Sequence, residues 1–315
     1  MKRLALAAAV AFYLQSRRRL GFALESAGAR LGNLVHYAQR VRHRGPLTTQ
    51  LALDWAQVPA PGSLQRARRL ETVRSFALFW AAFDPRTQIP PGGLFGPARR
   101  RQPVHIYTPA EITGLLSAAE SAPLTGGQPL PCFRPLLGLL ACTGLRISEA
   151  LTLRLSDWDP QAAVLTVRQS KFGQSRYVPL SPSAAGAMKD YLRVRRGAYP
   201  KTKSDALFLN PRGRPLAYGQ VNRAFRALRQ QLGWHPLPRP RLHDLRHTFA
   251  VNCLLGWYRT GQQELNAKIL SLAVYLGHRN IRHTYWYLSA VPELLALAST
   301  RWDKVCATRK GAPHE

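Results

Sequence analysis

Ala141-Cys142-Thr143-Gly144-Leu145-Arg146-Ile147-Ser148-Glu149-Ala150-Leu151 decides how this chain is read. The apolar run from Pro135 to Ala141 before it has helical character, Thr143-Gly144 punctuates that helix, and a new helix is expected near Ser148. Arg146 follows the glycine turn directly, with Glu149 one helical turn later. On its own the pair could be an i,i+3 surface ion pair, worth roughly 0.2–0.5 kcal/mol. The stretch is, however, the first of four that set polar side chains in apolar surroundings.

The second is a hairpin. Val164 to Val167 alternates and is β-prone, Lys171-Phe172-Gly173-Gln174-Ser175 is a turn, and Arg176-Tyr177-Val178-Pro179-Leu180 is a return strand. Lys171 falls near its tip, where most lysines are simply solvated. The third is Leu242-His243-Asp244-Leu245-Arg246-His247-Thr248-Phe249-Ala250, and the fourth is Tyr275-Leu276-Gly277-His278 followed by His283-Thr284-Tyr285-Trp286-Tyr287-Leu288. His243 and His247 have the i,i+4 spacing of a metal helix, but no Glu follows His243 and no carboxylate pair completes a site, so no metal is expected. Taken singly, Tyr285, Trp286 and Tyr287 could be core aromatics.

The 315 residues suit about two domains. With 46% hydrophobic and 19% charged residues, the composition excludes wholesale disorder, collagen and a small disulfide scaffold. The charge is unusual: 45 Lys+Arg against 16 Asp+Glu, a formal net of +29. Eight of the 45 are Lys, leaving 37 Arg. So much positive charge repels itself unless a polyanion compensates, and nucleic acid is the leading candidate, ahead of anionic membrane. Cys132, Cys142, Cys253 and Cys306 form no CxxC pair and read as reduced thiols of a cytoplasmic protein.

Along the chain, Lys2-Arg3 and the apolar run Leu4 to Leu14 resemble a signal h-region, but Arg17-Arg18-Arg19 follow without a small-residue cleavage site. The run is therefore read as a buried first helix, and it is too short to span a bilayer. Leu20, Leu24, Leu31, Leu34 and Val35 recur near helical spacing among arginines. A further helix is expected from Leu64 to Phe83. From Asp84-Pro85 to Pro103 the Pro/Gly/Arg mixture reads as an extended basic tether. Thr108-Pro109-Ala110-Glu111 is a helix start. The expected division is a helical domain over 1–98, a basic linker over 99–107, a second domain over 108–303 and a disordered-looking tail over 304–315.

In this order and spacing the four segments resemble the tyrosine recombinase (phage integrase) family. The resemblance rests on Thr143-Gly144-Leu145-Arg146-x-Ser148-Glu149, on Lys171 before Arg176 and Val178-Pro179-Leu180, and on His243-x-Leu245-Arg246-His247-Thr248. It continues through Leu276-Gly277-His278 and a tyrosine nine residues later, Tyr287. It covers about residues 104–300. His283-Thr284 departs from the two threonines common there, and Tyr285 is a rival nucleophile, with Tyr287 preferred on spacing.

The resemblance implies a mainly α fold with a small antiparallel β-sheet. A helical core-binding (SAM-like) domain would precede an α+β catalytic domain, the two closing as a clamp on DNA. It implies a site-specific recombinase of mobile elements that cleaves and rejoins DNA through a 3′-phosphotyrosyl link, without ATP, metal or cofactor. Arg146 and Arg246 would hold the phosphate with paired hydrogen bonds. His278 would add a donor, and His243 would bind the phosphate or take the tyrosine proton. Tyr287 would attack, Lys171 would protonate the 5′-oxygen, and Glu149 would support the site. The partners implied are duplex DNA and a homotetramer on two DNA sites, alone or with other recombinases, with no membrane. The helix after Pro292 (Glu293, Leu294, Leu295, Leu297) would dock on a neighbouring protomer or pack on its own domain. Two other readings stand beside this one: a catalytically silent DNA-binding accessory protein, and a type IB topoisomerase-like activity.

Overall fold

The computed structural model describes residues 5–58, 62–98, 103–120, 130–168, 175–235, 239–260, 264–278 and 280–310. The chain divides into two compact units, 1–102 and 103–315.

The first unit is helical: α1 (Leu6–Arg19), α2 (Glu25–Arg40), α3 (Thr49–Gln57) and α4 (Ser63–Trp80). Its core is aromatic. Tyr13 of α1 meets Phe76 of α4 edge-on at 5.5 Å, and Leu31, Leu34 and Trp55 fill the space between the helices. The apolar run at the start of the chain is thus a packed helix, burying Ala9, Val10 and Tyr13, and its last turn, Arg17, Arg18 and Arg19, complements the helix dipole. Leu20, expected in the helical core, instead follows the last turn of α1 and is 69% exposed.

The tether expectation needs correction for residues 84–98. The Gln88 backbone N–H donates to Leu47 O (2.9 Å), the Gln88 side chain accepts from Thr49 N–H (2.8 Å), and Arg74 Nη1 donates to Pro90 O (2.5 Å). The Leu47 carbonyl and the Arg74 guanidinium give backbone groups of this segment their partners, so a segment with no regular structure still packs on the bundle. Residues 99–102 lie outside the described residues.

The second unit opens on Tyr107, which is buried and tied to a distant helix: its N–H donates to Thr248 Oγ1 (2.9 Å) and its hydroxyl to Arg241 O (3.1 Å). The end of the expected linker therefore belongs to this unit. Then come α5 (Pro109–Glu120), α6 (Phe133–Thr143) and α7 (Ile147–Thr152). As its sequence predicts, α5 starts on a reciprocal cap, with Glu111 accepting from Thr108 N–H (2.7 Å) and Thr108 accepting from Glu111 N–H (3.2 Å).

A three-stranded antiparallel sheet follows, ordered β1 (Trp158–Asp159), β2 (Val164–Val167), β3 (Arg176–Pro179). Leu165 pairs with Val178 and Val167 with Arg176, so the period-2 alternation puts Leu165, Val167 and Val178 into the core. The two-residue β1 is too short to be read from sequence. The remaining helices are α8 (Pro182–Ala198), α9 (Tyr218–Gln231), α10 (Leu242–Arg259), α11 (Leu265–Leu276), α12 (Arg282–Ala290) and α13 (Pro292–Lys310).

α13 overturns the expectation for 304–310. No glycine or proline interrupts the stretch from Pro292 until Gly311, so the helix runs on to Lys310. Its Leu294 is buried in a cluster with Val251, Leu254, Leu272 and Tyr287, so this helix packs on its own unit. Among the described residues no helix is long and apolar enough to cross a membrane.

Candidate active site

Two glycines bring three segments together. Gly144 ends α6 in the left-handed region (φ +61°), and Gly277 ends α11 in the same way (φ +63°). A Cβ on Gly144 would lie 2.5 Å from Phe249, and one on Gly277 would lie 3.3 Å from the Arg176 guanidinium. The tight turns leave their carbonyls as acceptors. Arg246, 2% exposed on α10, donates from Nη1 to Gly144 O (2.8 Å) and from Nη2 to Leu276 O (2.6 Å). Arg146, just before α7, donates from Nη2 to Gly277 O (3.0 Å). Carbonyls, not carboxylates, hold Arg246, so its positive charge is not cancelled. Burial first, then Arg146, pull its pKa down to about 10, which still leaves it protonated at neutral pH.

Glu149 is the carboxylate of this cluster, 5% exposed. It accepts from Arg146 Nη1 (2.7 Å) and backbone N–H (3.0 Å), and from Arg176 Nη1 (3.2 Å) and Nη2 (2.8 Å). Burial alone would push the carboxyl up, but Arg176 and then Arg146 overcome it and hold it down to about 2. The pair is therefore more than a surface i,i+3 bridge: Glu149 bridges two guanidiniums from different elements. Arg146, Arg176 and Arg246 against Glu149 sum to a formal +2.

Tyr287, on α12, sits against these cations, 2% exposed. Burial raises its pKa, and the charges of Arg246 and then Arg146 pull the other way. Its hydroxyl lies 3.0 Å from His247 Nδ1. Its ring stacks on His278 with 6.3 Å between centroids. His278 Nδ1 bonds the buried Thr284 hydroxyl at 2.8 Å. Tyr285, the rival tyrosine, is 40% exposed, because successive α-helical positions point about 100° apart.

Three histidines of this cluster are held below their ordinary value. Burial, then cationic or histidine neighbours, lowers His247 and His278 to about 3. His243 is lowered to about 4 by the protein around it and then by Arg246, although its ring remains open to solvent, which screens it. His243 does not hold the tyrosine; it packs edge-on against His247 at 4.6 Å. Among the described residues no three His, Cys, Asp or Glu side chains form a group able to hold a metal.

The structure thus brings Arg146, Glu149, Arg246, His278 and Tyr287 into one cluster, with the exposed His243 beside His247. Lys171 lies outside the described residues. Sequence reasoning left out Arg176, Thr284 and His247 as site residues. All three stand inside the quoted segments, but their roles depend on distances between elements.

A small sheet, a helical body and a buried tyrosine beside paired guanidiniums define the class, and comparison with known proteins agrees. The family model described as "Phage integrase family" matches residues 107–293. The chain belongs to that family. The protein y4rB of Sinorhizobium fredii, named for an integrase/recombinase role, is 40% identical over 309 residues, covering 94% of this chain and 96% of its own. Tyrosine recombinase XerD of Caulobacter vibrioides is 31% identical over 232 residues, covering 73% of this chain and 72% of its own. In fold, the Tn1549 transposon integrase in complex with transposon right end DNA is similar over 96% of this chain and all of its own (TM-score 0.67, 18% identity). A lambda integrase from a tetramer bound to a Holliday junction is similar over 91% of this chain and 78% of its own (TM-score 0.61, 20% identity).

Proposed function

We propose that this protein is a site-specific DNA recombinase that cleaves and rejoins duplex DNA through a 3′-phosphotyrosyl intermediate on Tyr287. The observation that carries the reading is the buried Tyr287 hydroxyl set among the charges of Arg146 and Arg246. A phosphodiester carries one negative charge and its pentavalent transition state two. A fixed formal +2 matches the transition state better than the ground state, and that difference accelerates the step.

Arg146 and Arg246 bind the non-bridging oxygens through N–H groups that the Gly277, Gly144 and Leu276 carbonyls do not use. His278, its Nδ1 engaged by Thr284, presents the other ring nitrogen to the phosphate. His243, exposed beside His247, is assigned to the phosphate as a further hydrogen-bond donor. Glu149, with Arg176, fixes Arg146 rather than touching DNA. Lys171 protonates the 5′-oxygen as it leaves, a role that its place before Arg176 in the family pattern supports. Transesterification conserves the phosphodiester energy in the protein link, so rejoining consumes no nucleotide. The guanidiniums supply the charge that a metal would otherwise provide.

The net charge of +29 suits a protein that wraps duplex DNA, with phosphate neutralisation supplying most of the affinity. The DNA-bound and tetrameric fold relatives support a multimer, and we extend this to a homotetramer on two DNA sites.

Incubation with a nicked suicide substrate tests the assignment. Wild type accumulates a covalent protein–DNA band, and Tyr287→Phe binds the same DNA without forming it. Binding without an adduct in wild type would make the chain a silent accessory protein. Relaxation of supercoils lacking a recombination site would make it topoisomerase-like.

A further inference from the structure

The second unit begins at Pro103, and by Tyr107 the chain is bonded to the helix that carries Arg246. Tyr107, 2% exposed, grips α10 at two points. Its backbone N–H donates to Thr248 Oγ1 (2.9 Å), and its hydroxyl donates to Arg241 O (3.1 Å). Arg241 and Thr248 are about 10 Å apart along the helix, and Arg246 stands between them.

Each anchor is itself fixed. Thr248 Oγ1 donates to Asp244 O (2.9 Å). Arg241 sets its backbone N–H (2.9 Å), Nε (3.1 Å) and Nη2 (2.8 Å) on the carboxylate of the fully buried Asp244, and Nη2 also reaches Pro103 O (3.3 Å). The Tyr107 ring meets His105 edge-on at 4.7 Å and Trp234 at 5.7 Å, while Ile106 packs in the cluster around Tyr287. Burial, and then Asp244, raise the Tyr107 pKa, so its hydroxyl remains a donor at any working pH.

We infer that Tyr107 and Thr248 are positioning residues for strand cleavage: together they fix α10 along its axis and so set the aim of Arg246. The inference rests on the reading of Arg246 as a ligand of the scissile phosphate. Arg246 is held by carbonyls of other elements, Gly144 O at 2.8 Å and Leu276 O at 2.6 Å. A slide of α10 by about 1 Å would stretch or bend both bonds and turn the remaining N–H groups from the phosphate. The two guanidiniums thus have separate supports. Glu149 and Arg176 aim Arg146, and the entry segment of the second unit aims Arg246. Neither Tyr107 nor Thr248 touches the reacting atoms; both act through Arg246.

Single-turnover adduct formation by the full chain on the nicked suicide substrate tests the assignment. Tyr107→Phe keeps the packed ring and removes the bond to Arg241 O, and Thr248→Val removes the acceptor of the Tyr107 N–H. At saturating DNA we expect each to be slower by about 10-fold, short of the ~100-fold that a full 1 Å misplacement costs. DNA affinity should be unchanged, and Thr248→Ser, which keeps the hydroxyl, should recover most of the rate. The same substitutions made in Arg246→Ala should cost less than about 2-fold further, because the side chain they aim is gone. A repeated 10-fold loss in that background would show that the grip does not act through Arg246 and would overturn the inference. Wild-type rates for Tyr107→Phe would do the same, and this variant decides the matter if Thr248→Val does not fold. A Tyr287→Phe control that still forms adduct, or an Arg246→Ala rate equal to wild type, would instead remove the reading of the site on which the inference rests.

Discussion

Replacing Glu149 by Gln keeps the size of the side chain and removes the charge that Arg146 and Arg176 share. In the folded protein the carboxyl sits at about 2, against an ordinary 4.5. A depression of that size corresponds to about 3 kcal/mol of folding stability above the ordinary value. Removing one partner of a buried ion pair costs a similar 3–5 kcal/mol, roughly, by analogy with other proteins. With a urea dependence of about 2–3 kcal/mol per M, the midpoint at pH 7 should fall by about 1 M. The sign with pH is fixed. A carboxyl depressed by folding stabilises fully above 4.5, and that stabilisation is lost as pH falls toward 2. The gap between wild type and Glu149→Gln should therefore hold from pH 7 to 5 and close below it. Cleavage should fall as well, because Arg146 loses the anchor that aims it. DNA binding should not weaken, since the site gains positive charge. Equal midpoints at pH 7, or a gap that widens in acid, would refute the view that Glu149 organises the cluster.

Other consequences can be measured in the same way. His247 and His278 lie near 3 in the fold against an ordinary 6.5, so the unfolded chain takes up protons first. Stability should be full above pH 6.5 and fall from there toward pH 3, by at most about 1.4 kcal/mol per pH unit for each ring. The urea midpoints of a His247→Gln, His278→Gln double variant should vary less from pH 7 to 5, and parallel slopes would contradict this. Gly144→Ala should lose more than about 2 kcal/mol, from its left-handed backbone and the contact with Phe249, whereas Gly186→Ala in α8, with open space around it, should not destabilise. Arg146→Ala and Arg246→Ala should each slow adduct formation by at least ~100-fold, the cost of one oxyanion donor, and a smaller loss would make them structural.

Local chemistry made much of the fold readable in advance. The Thr108–Glu111 cap, the Gly144 stop and the Val164–Val167 alternation each depend on neighbours in sequence, and each appears as read. What could not be read depends on tertiary contact. Residues 84–98 carry turn-forming composition, yet Arg74, Thr49 and Leu47 give them partners. Leu20 keeps helical spacing with the core leucines, but α1 ends just before it. In the site, Arg146, Glu149, Arg246, His278 and Tyr287 could be named because their segments together resemble the family's motifs. Arg176 looked like a strand residue until its guanidinium was found on Glu149. His247 looked like a neighbour of Arg246 until α12 set a phenol against it.

In the proposed reaction one phenol, held among fixed cations, captures a DNA strand. Trypsin cleavage of the trapped adduct should release residues 283–301, which contain both Tyr285 and Tyr287. Fragmentation of that peptide should place the phosphonucleotide on Tyr287. Modification of Tyr285, which is 40% exposed, or of a residue outside the peptide would rule out Tyr287 as the nucleophile.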